Sequence, residues 1–166
     1  MSSIASQVLA QGLRVIIADI SDEDKSLNVL SQIQTDFKYS LNIEIIKGGY
    51  PAKGRYEGAN LVNTPYILFL DADVIFFDRK VSYDTVYKTT HLTTVRFTTD
   101  YGFNWIYNMF FTTQKIMKLF GSSFAIGGFQ LFRTDIYHHT GGYNPEHIFA
   151  EDYYVSNKIY PAFFTL

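Results

Sequence analysis

Cysteine is absent from this 166-residue chain, which excludes a disulfide framework, a thiol nucleophile and a thiolate metal site. Long apolar runs are missing too, and none approaches the roughly 18 residues of a membrane span. The N-terminal MSSIASQVLAQ has neither the basic start nor the long apolar centre of a signal peptide. Nor is there an excess of basic charge: the formal net charge is −2, with Lys and Arg scattered along the chain. Nothing therefore offers the basic footprint of a nucleic-acid binder. No internal repeat, low-complexity tract or composition shift marks a second domain. These absences leave a single domain over residues 1–166, soluble and cytoplasmic, with no transmembrane segment; peripheral association with a membrane surface stays open.

Apolar residues make up 47% of the chain, enough for a sizeable core. The 13 Tyr and 15 Phe suit a sugar-facing cleft and an ordinary core equally, since Tyr packs while offering a hydroxyl. Residues 3–11 read as a helix ended by Gly12, and LRVIIADI (13–20) as a buried strand. The segment beginning SDEDKSL offers caps at Ser21, Asp22 or Asp24 before a helix with Leu27, Leu30, Ile33 and Phe37 at helical spacing. NIEIIK (42–47), PYILFL (65–70) and LTTVRFTT (92–99) read as further strands, with KGRYEGANLV a short helix. A helix is expected over 104–120, burying Trp105, Met109, Ile116 and Phe120 and stopped by Gly121. FAIGGFQLFR (124–133) reads as extended, and AEDYYVSNKI as helical. The alternation points to an α/β fold, a mostly parallel sheet flanked by helices. In such sheets ligands sit beyond the carboxyl ends of strands, where Asp19, Asp71 and Asp73 fall.

Carboxylates are costly to bury unless paired, so the acids closing TPYILFLDADVIFF need a partner. On an extended segment Asp71 and Asp73 share a face and can converge on one ligand. Two hard oxygen donors suit Mg²⁺ or Mn²⁺, which keep several waters and bind substrate phosphates. A turn in which Asp bonds its own backbone fits the triplet equally well.

Two families share this spelling. LFLDADV resembles the haloacid dehalogenase-like phosphatases, in which Asp71 would be the nucleophile. It also resembles the family 2 nucleotide-sugar glycosyltransferases of the Rossmann-like GT-A fold. Three further stretches resemble the second family. VIIADISDED matches its second strand at Asp19, with Ile20, Ser21 and Asp22 departing from the usual Asp-Gly-Ser. GGYPAKGRYEGANLVNTPYILFLDAD matches at Arg55 and Gly58, with Tyr56 in place of the usual Asn. AIGGFQLFRTDIYHHTGGYNPEHIFAEDYYVSNKI carries Gly127-Gly128, Arg133, Gly141-Gly142-Tyr143, Glu146 and Glu151-Asp152 in order, and is the most specific block.

The resemblance implies a metal-dependent transferase, inverting, moving a sugar from a nucleoside-diphosphate donor, with UDP-sugar the leading guess, to a glycan, lipid or protein acceptor, as in polysaccharide biosynthesis. Asp73 would ligate Mn²⁺ or Mg²⁺ with help from Asp71, and the ion would offset charge on the leaving diphosphate. Asp71, Asp19, Arg55, Gly127 and Gly128 would bind the donor, Asp19 and Arg55 at the nucleoside. Asp152 would be the general base, with Glu151 supporting it. Each has a plainer reading: a turn acid at Asp19, a solvated helix residue at Arg55, a β-bulge at the glycine pair, and helix-dipole acids at Glu151-Asp152. His138 and His139 are adjacent and point apart, a poor chelate, while His147 lies near the acid pair. The family's usual opening strand is missing here and the chain stops shortly after the acid pair. Either the domain is minimal, or it is a fragment of a longer transferase, truncated at both ends; a non-catalytic nucleotide-sugar-binding fragment is the alternative function.

Overall fold

Two β-branched runs set the first layer. The computed structural model describes residues 1–7, 12–21, 24–37, 41–88, 91–122, 125 and 127–163. A short α1 (Ser2–Ala5) precedes strand β1 (Leu13–Asp19), helix α2 (Asp24–Phe37) and strand β2 (Leu41–Lys47). β1 and β2 pair in parallel, from Leu13 opposite Leu41 to Asp19 opposite Lys47. Parallel neighbours need a crossover connection, and α2 supplies it. Helix α3 (Pro51–Asn60) follows, its first turn favoured by a proline whose missing N–H costs nothing there.

Strand β3 (Tyr66–Leu70), helix α4 (Val81–Lys88), strand β4 (Leu92–Thr93), helix α5 (Asn104–Leu119), strand β5 (Phe129–Arg133), helix α6 (Thr134–His139) and helix α7 (Glu151–Phe163) complete the order. β5 lies between β3 and β4 and is antiparallel to both. The α/β architecture expected from the alternation is therefore borne out, with parallel pairing held by β1 and β2. Among the described residues no hydrogen bonds join β1 to β3, and their strands form two sheets.

Helix α3 bridges the two sheets because its inner face is small. A Cβ on Gly54 would sit 3.1 Å from Ala18 Cβ of β1. Ala52 and Ala59 are fully buried in the core with Ile67 and Phe69 of β3. That core is aromatic: Phe69 meets Phe132 edge-on at 5.7 Å and Tyr143 at 5.0 Å between ring centroids. Edge-to-face pairs of this kind add roughly 1 kcal/mol beyond the area they bury. The packing fixes α3, β3, β5 and the segment entering α7 against one another, which brings the acids and Arg55 together.

Several expectations need correction. The 92–99 strand shrinks to Leu92–Thr93, and 94–99 has no regular structure. Part of the 3–11 helix and of the extended 124–133 segment, with the cap at Asp22, lies outside the described residues. Helices α4 and α6 were not expected. Helix α5 stands at 104–119 and Gly121 stops it at φ +77°, yet Trp105, Met109, Ile116 and Phe120 are 63%, 53%, 50% and 84% exposed. The helix turns its other side inward, where Tyr107, Phe111, Gln114 and Met117 are half-buried. Periodicity reveals an apolar stripe but not whether anything packs on it.

Candidate active site

The site grows from the end of β3. Asp71 N–H donates to the Gly128 carbonyl at 3.2 Å, and Val74 N–H donates back to the Asp71 carbonyl at 3.2 Å. Residues 71–74 thus form a turn, and the expected extended segment with both acids on one face does not occur. Asp71 turns toward Arg55 of α3, whose Nη2 lies 2.7 Å from Asp71 Oδ1. The same guanidinium reaches α7: Nη1 is 2.7 Å from Asp152 Oδ1 and 3.0 Å from Glu151 Oε1. Its carbon stands 5.3 Å from the centroid of the Tyr143 ring. Residues 16, 96 and 97 positions from Arg55 therefore meet on one cation.

Asp152 is fixed from three sides. Besides Arg55, the Tyr143 hydroxyl lies 2.7 Å from Asp152 Oδ1 and 2.5 Å from Gln130 Oε1. One hydroxyl proton serves two acceptors, so ionised Asp152 competes with Gln130 for it. Gly127 closes the third side: a Cβ there would fall 2.0 Å from Asp152 Oδ2. Glycine is needed here for the carboxylate's sake. Tyr143 is positioned by a helix-ending motif on α6. Gly141 N–H donates to the His138 carbonyl and Gly142 N–H to the Tyr137 carbonyl, each at 3.0 Å, with Gly141 at φ +80°. The Tyr137 hydroxyl then accepts Tyr143 N–H at 3.0 Å.

Helix α7 begins with strain. Ala150 accepts the Tyr154 N–H as the cap of α7 and sits at φ 56°, a left-handed conformation that costs a Cβ-bearing residue about 1–2 kcal/mol. Glu151 and Asp152 then occupy the first turn, where the helix dipole favours negative charge. The helix-dipole reading of the acid pair therefore holds.

Three carboxylates around one guanidinium leave two negative charges in formal excess. Burial raises the Asp152 pKa from its ordinary value, with Glu151 and Asp71 adding to it against the opposing pull of Arg55 and Tyr143. Burial likewise drives the Tyr143 hydroxyl far up, so it stays a neutral donor. For Arg55, burial works against the charge, but Tyr143, Asp152 and Asp71 outweigh it and raise the pKa.

Other expected residues stand apart from this cluster. Asp19 ends β1 and accepts the Ser21 hydroxyl at 2.5 Å and its N–H at 3.4 Å, a local turn of the plainer kind foreseen for it. Asp73 is exposed and makes no ion pair among the described residues. A Cβ on Gly128 would meet the Phe97 ring at 2.9 Å. His138 and His139 are exposed on the last turn of α6, and His147 lies against Tyr154 at 4.6 Å between ring centroids. A cavity of about 380 Å³ opens beside α5, lined by Thr99, Tyr101, Phe103, Ile106, Tyr107 and Phe110. Its lining carries no charged side chain.

Among the described residues no three His or acidic side chains form a group that could hold an ion unaided. Mg²⁺ and Mn²⁺ do not require one, since one or two carboxylates with substrate phosphates suffice for such ions. The exposed Asp73, Asp71 and the local charge excess fit that pattern.

Sequence reading missed Gln130 and Ser156. Gln130 is fully buried within the apolar strand FQLFR, where a lone amide is the available signal. Ser156 is also fully buried; its hydroxyl donates to the Asp152 carbonyl at 2.7 Å and accepts Ala125 N–H at 3.3 Å, tying α7 to the segment before β5.

Comparison with known proteins bears on this geometry. A glycosyl transferase family 2 model matches residues 1–141. The chain belongs to glycosyl transferase family 2. As a family 2 chain it is a relative of glycosyltransferases, and the phosphatase reading of Asp71 falls away. The mannosyltransferase PcManGT from Pyrobaculum calidifontis, solved in complex with GDP-Man and Mn²⁺, is similar in structure with a TM-score of 0.69 and 15% sequence identity. The alignment covers 95% of this family 2 chain and 46% of the mannosyltransferase, so the chain spans less than half of that protein's length. The likeness is one of fold, and it supports the GT-A expectation. Curated protein sequences return no match. The family match takes in Asp19, Arg55, Asp71, Asp73, Gly127 and Gly128, while Glu151 and Asp152 lie beyond it.

Proposed function

We propose that this chain is the donor-binding and catalytic domain of a glycosyltransferase that moves a sugar from a nucleoside diphosphate to an acceptor hydroxyl with inversion. The observation that carries the proposal is the meeting of Asp71, Glu151 and Asp152 on Arg55 at the end of β3. Asp152 takes the proton from the acceptor hydroxyl. A carboxylate whose pKa is raised by burial is a stronger base near neutrality than a solvated one. Arg55 and Tyr143 hold Asp152 in place, and Gly127 leaves room for it. Glu151 shares the cation and supports the base.

Asp73 would hold Mn²⁺ or Mg²⁺, assisted by Asp71, whose Oδ1 is paired with Arg55. Bound there, such an ion supplies Lewis-acid neutralisation of the diphosphate. Asp19 contacts the nucleoside, for which an acceptor beside a ring N–H is chemically suited. Arg55 reads more naturally as the hub of the acids than as a base-contacting residue, because its donors are turned to carboxylates. Gly127 and Gly128 serve the donor site indirectly, by leaving room for the Asp152 carboxylate and for the Phe97 ring. The acceptor is a glycan, lipid or protein hydroxyl. A uridine donor remains the first choice, with guanosine the second because the fold neighbour was solved with GDP-Man.

The test is a panel of nucleoside-diphosphate sugars, followed for binding by calorimetry and for sugar release, with Mn²⁺ present and absent. Mn²⁺-dependent binding of one donor, lost in Asp73→Asn, is the expected result. Binding unaffected by Mn²⁺ or by that substitution would overturn the cation assignment. Tight donor binding without sugar release would leave a binding domain and remove the catalytic part.

A further inference from the structure

Helix α5 carries the apolar surface that the sugar-transfer reading does not use. None of its residues is buried. At 3.6 residues per turn, Trp105, Met109, Thr112, Ile116 and Leu119, with the cap residue Phe120, fall within an arc of roughly 100°. All six are exposed, Leu119 and Phe120 at 84% each. Stripes of this width normally face a core. This one faces outward while the opposite side of the helix, through Tyr107 against Phe97, meets the body of the protein. A contiguous exposed apolar patch of this kind marks an interaction surface.

The charge around the stripe selects its partner. Between Asp100 and Asp135 the sequence has no acidic residue, while Lys115 and Lys118 lie on α5 itself. Lys115 and Asn108 fall on the same flank of the stripe, and the exposed Arg96 guanidinium donates to Asn108 Oδ1. One edge of the stripe is thus rimmed by cations. Its ends carry Trp105 and Phe120, and indole is a side chain that settles at the boundary between acyl chains and headgroups. A second copy of the same stripe would bring like-charged rims together, so self-association is disfavoured.

We propose that α5 docks the protein on an anionic lipid surface, lying in the headgroup plane with the Trp105–Phe120 stripe immersed and Arg96 and Lys115 at the phosphates. Helices that lie on membranes combine these two elements, an apolar face and a basic flank. The proposal does not depend on the sugar-transfer reading.

Trp105 is the sole tryptophan, so its fluorescence reports on this stripe alone. The chain is to be titrated with vesicles of phosphatidylcholine and of phosphatidylcholine mixed with phosphatidylglycerol, and binding measured in parallel by sedimentation. Mixed vesicles should shift the Trp105 emission to the blue and carry the protein down, with binding that weakens as salt rises. Lys115→Gln should weaken it roughly fivefold. Ile116→Ser with Leu119→Ser should weaken it more than about tenfold. Both variants lie on the exposed face, and an unchanged melting temperature confirms that they fold. No binding to mixed vesicles, or equal binding to both vesicle types, overturns the proposal. A lipid-independent dimer in which Trp105 is already shielded overturns it in favour of a second copy.

Discussion

Gly127→Ala tests the geometry of the site through a single methyl group. Its Cβ would lie 2.0 Å from Asp152 Oδ2, 2.7 Å from Cγ and 3.0 Å from Oδ1. These distances are far inside van der Waals contact, so the carboxylate must move. Overpacking of this kind costs about 1–3 kcal/mol. Displacement also weakens the bonds from Asp152 Oδ1 to Arg55 and to Tyr143, both 2.7 Å in the intact site. Charge-assisted hydrogen bonds contribute about 1.5–3 kcal/mol each, of which relaxation recovers a part. A net loss of about 3 kcal/mol should lower the melting temperature by roughly 6–12 °C in a chain of this size. In an Asp152→Ala background the colliding atoms are gone, and the same alanine should cost less than about 1 kcal/mol. The resulting coupling of about 2 kcal/mol or more is read from a double-mutant cycle by denaturant unfolding. Equal destabilisation in both backgrounds would refute the reasoning, because the methyl group would then be meeting something other than Asp152.

Arg55→Met leaves the partly buried Glu151 and Asp152 without their cation and should destabilise the protein by roughly 2 kcal/mol at neutral pH; Asp71, nearly half exposed, adds little. Thermal unfolding checks this, and acidification should restore part of the loss. Asp152 has a folded pKa raised above its unfolded value, so the folded state binds its proton more readily and this group's contribution to stability grows as pH falls through the folded pKa and is lost as pH rises. Asp152→Asn should therefore melt no lower than wild type at neutral pH, lose that advantage on acidification toward about pH 4, and lose sugar transfer while keeping donor binding. Ala150→Gly should relieve the left-handed strain ahead of α7 and stabilise the protein by up to about 1 kcal/mol, read as a small rise in melting temperature.

The sequence made legible what depends on local pattern. VIIA and YILFL announce β1 and β3, and α5 stops at Gly121 as its glycine demands. The candidate residues were found through ordered motifs, since no spacing rule connects Arg55 with Asp152. That pairing needed tertiary structure: the small face of α3, the aromatic packing of Phe69 and Tyr143, and the turn after β3. Antiparallel β5 was hidden because strand direction is set by the path of long connections and not by strand composition. Trp105 and Met109 were misread as core for a related reason. An apolar stripe declares that it wants a partner and says nothing about where that partner comes from. Gln130 and Ser156 escaped because buried polar residues are recognisable only once burial is known.

The central claim, that a nucleoside diphosphate meets the carboxylates of Asp71 and Asp73 through a shared divalent cation, is tested most directly by anomalous diffraction. Crystals are to be grown with Mn²⁺ and the nucleoside diphosphate that binds best. A manganese peak between those two side chains and the diphosphate oxygens is the expected result. Diphosphate density held elsewhere, or density beside Asp71 and Asp73 with no manganese signal, would contradict the claim.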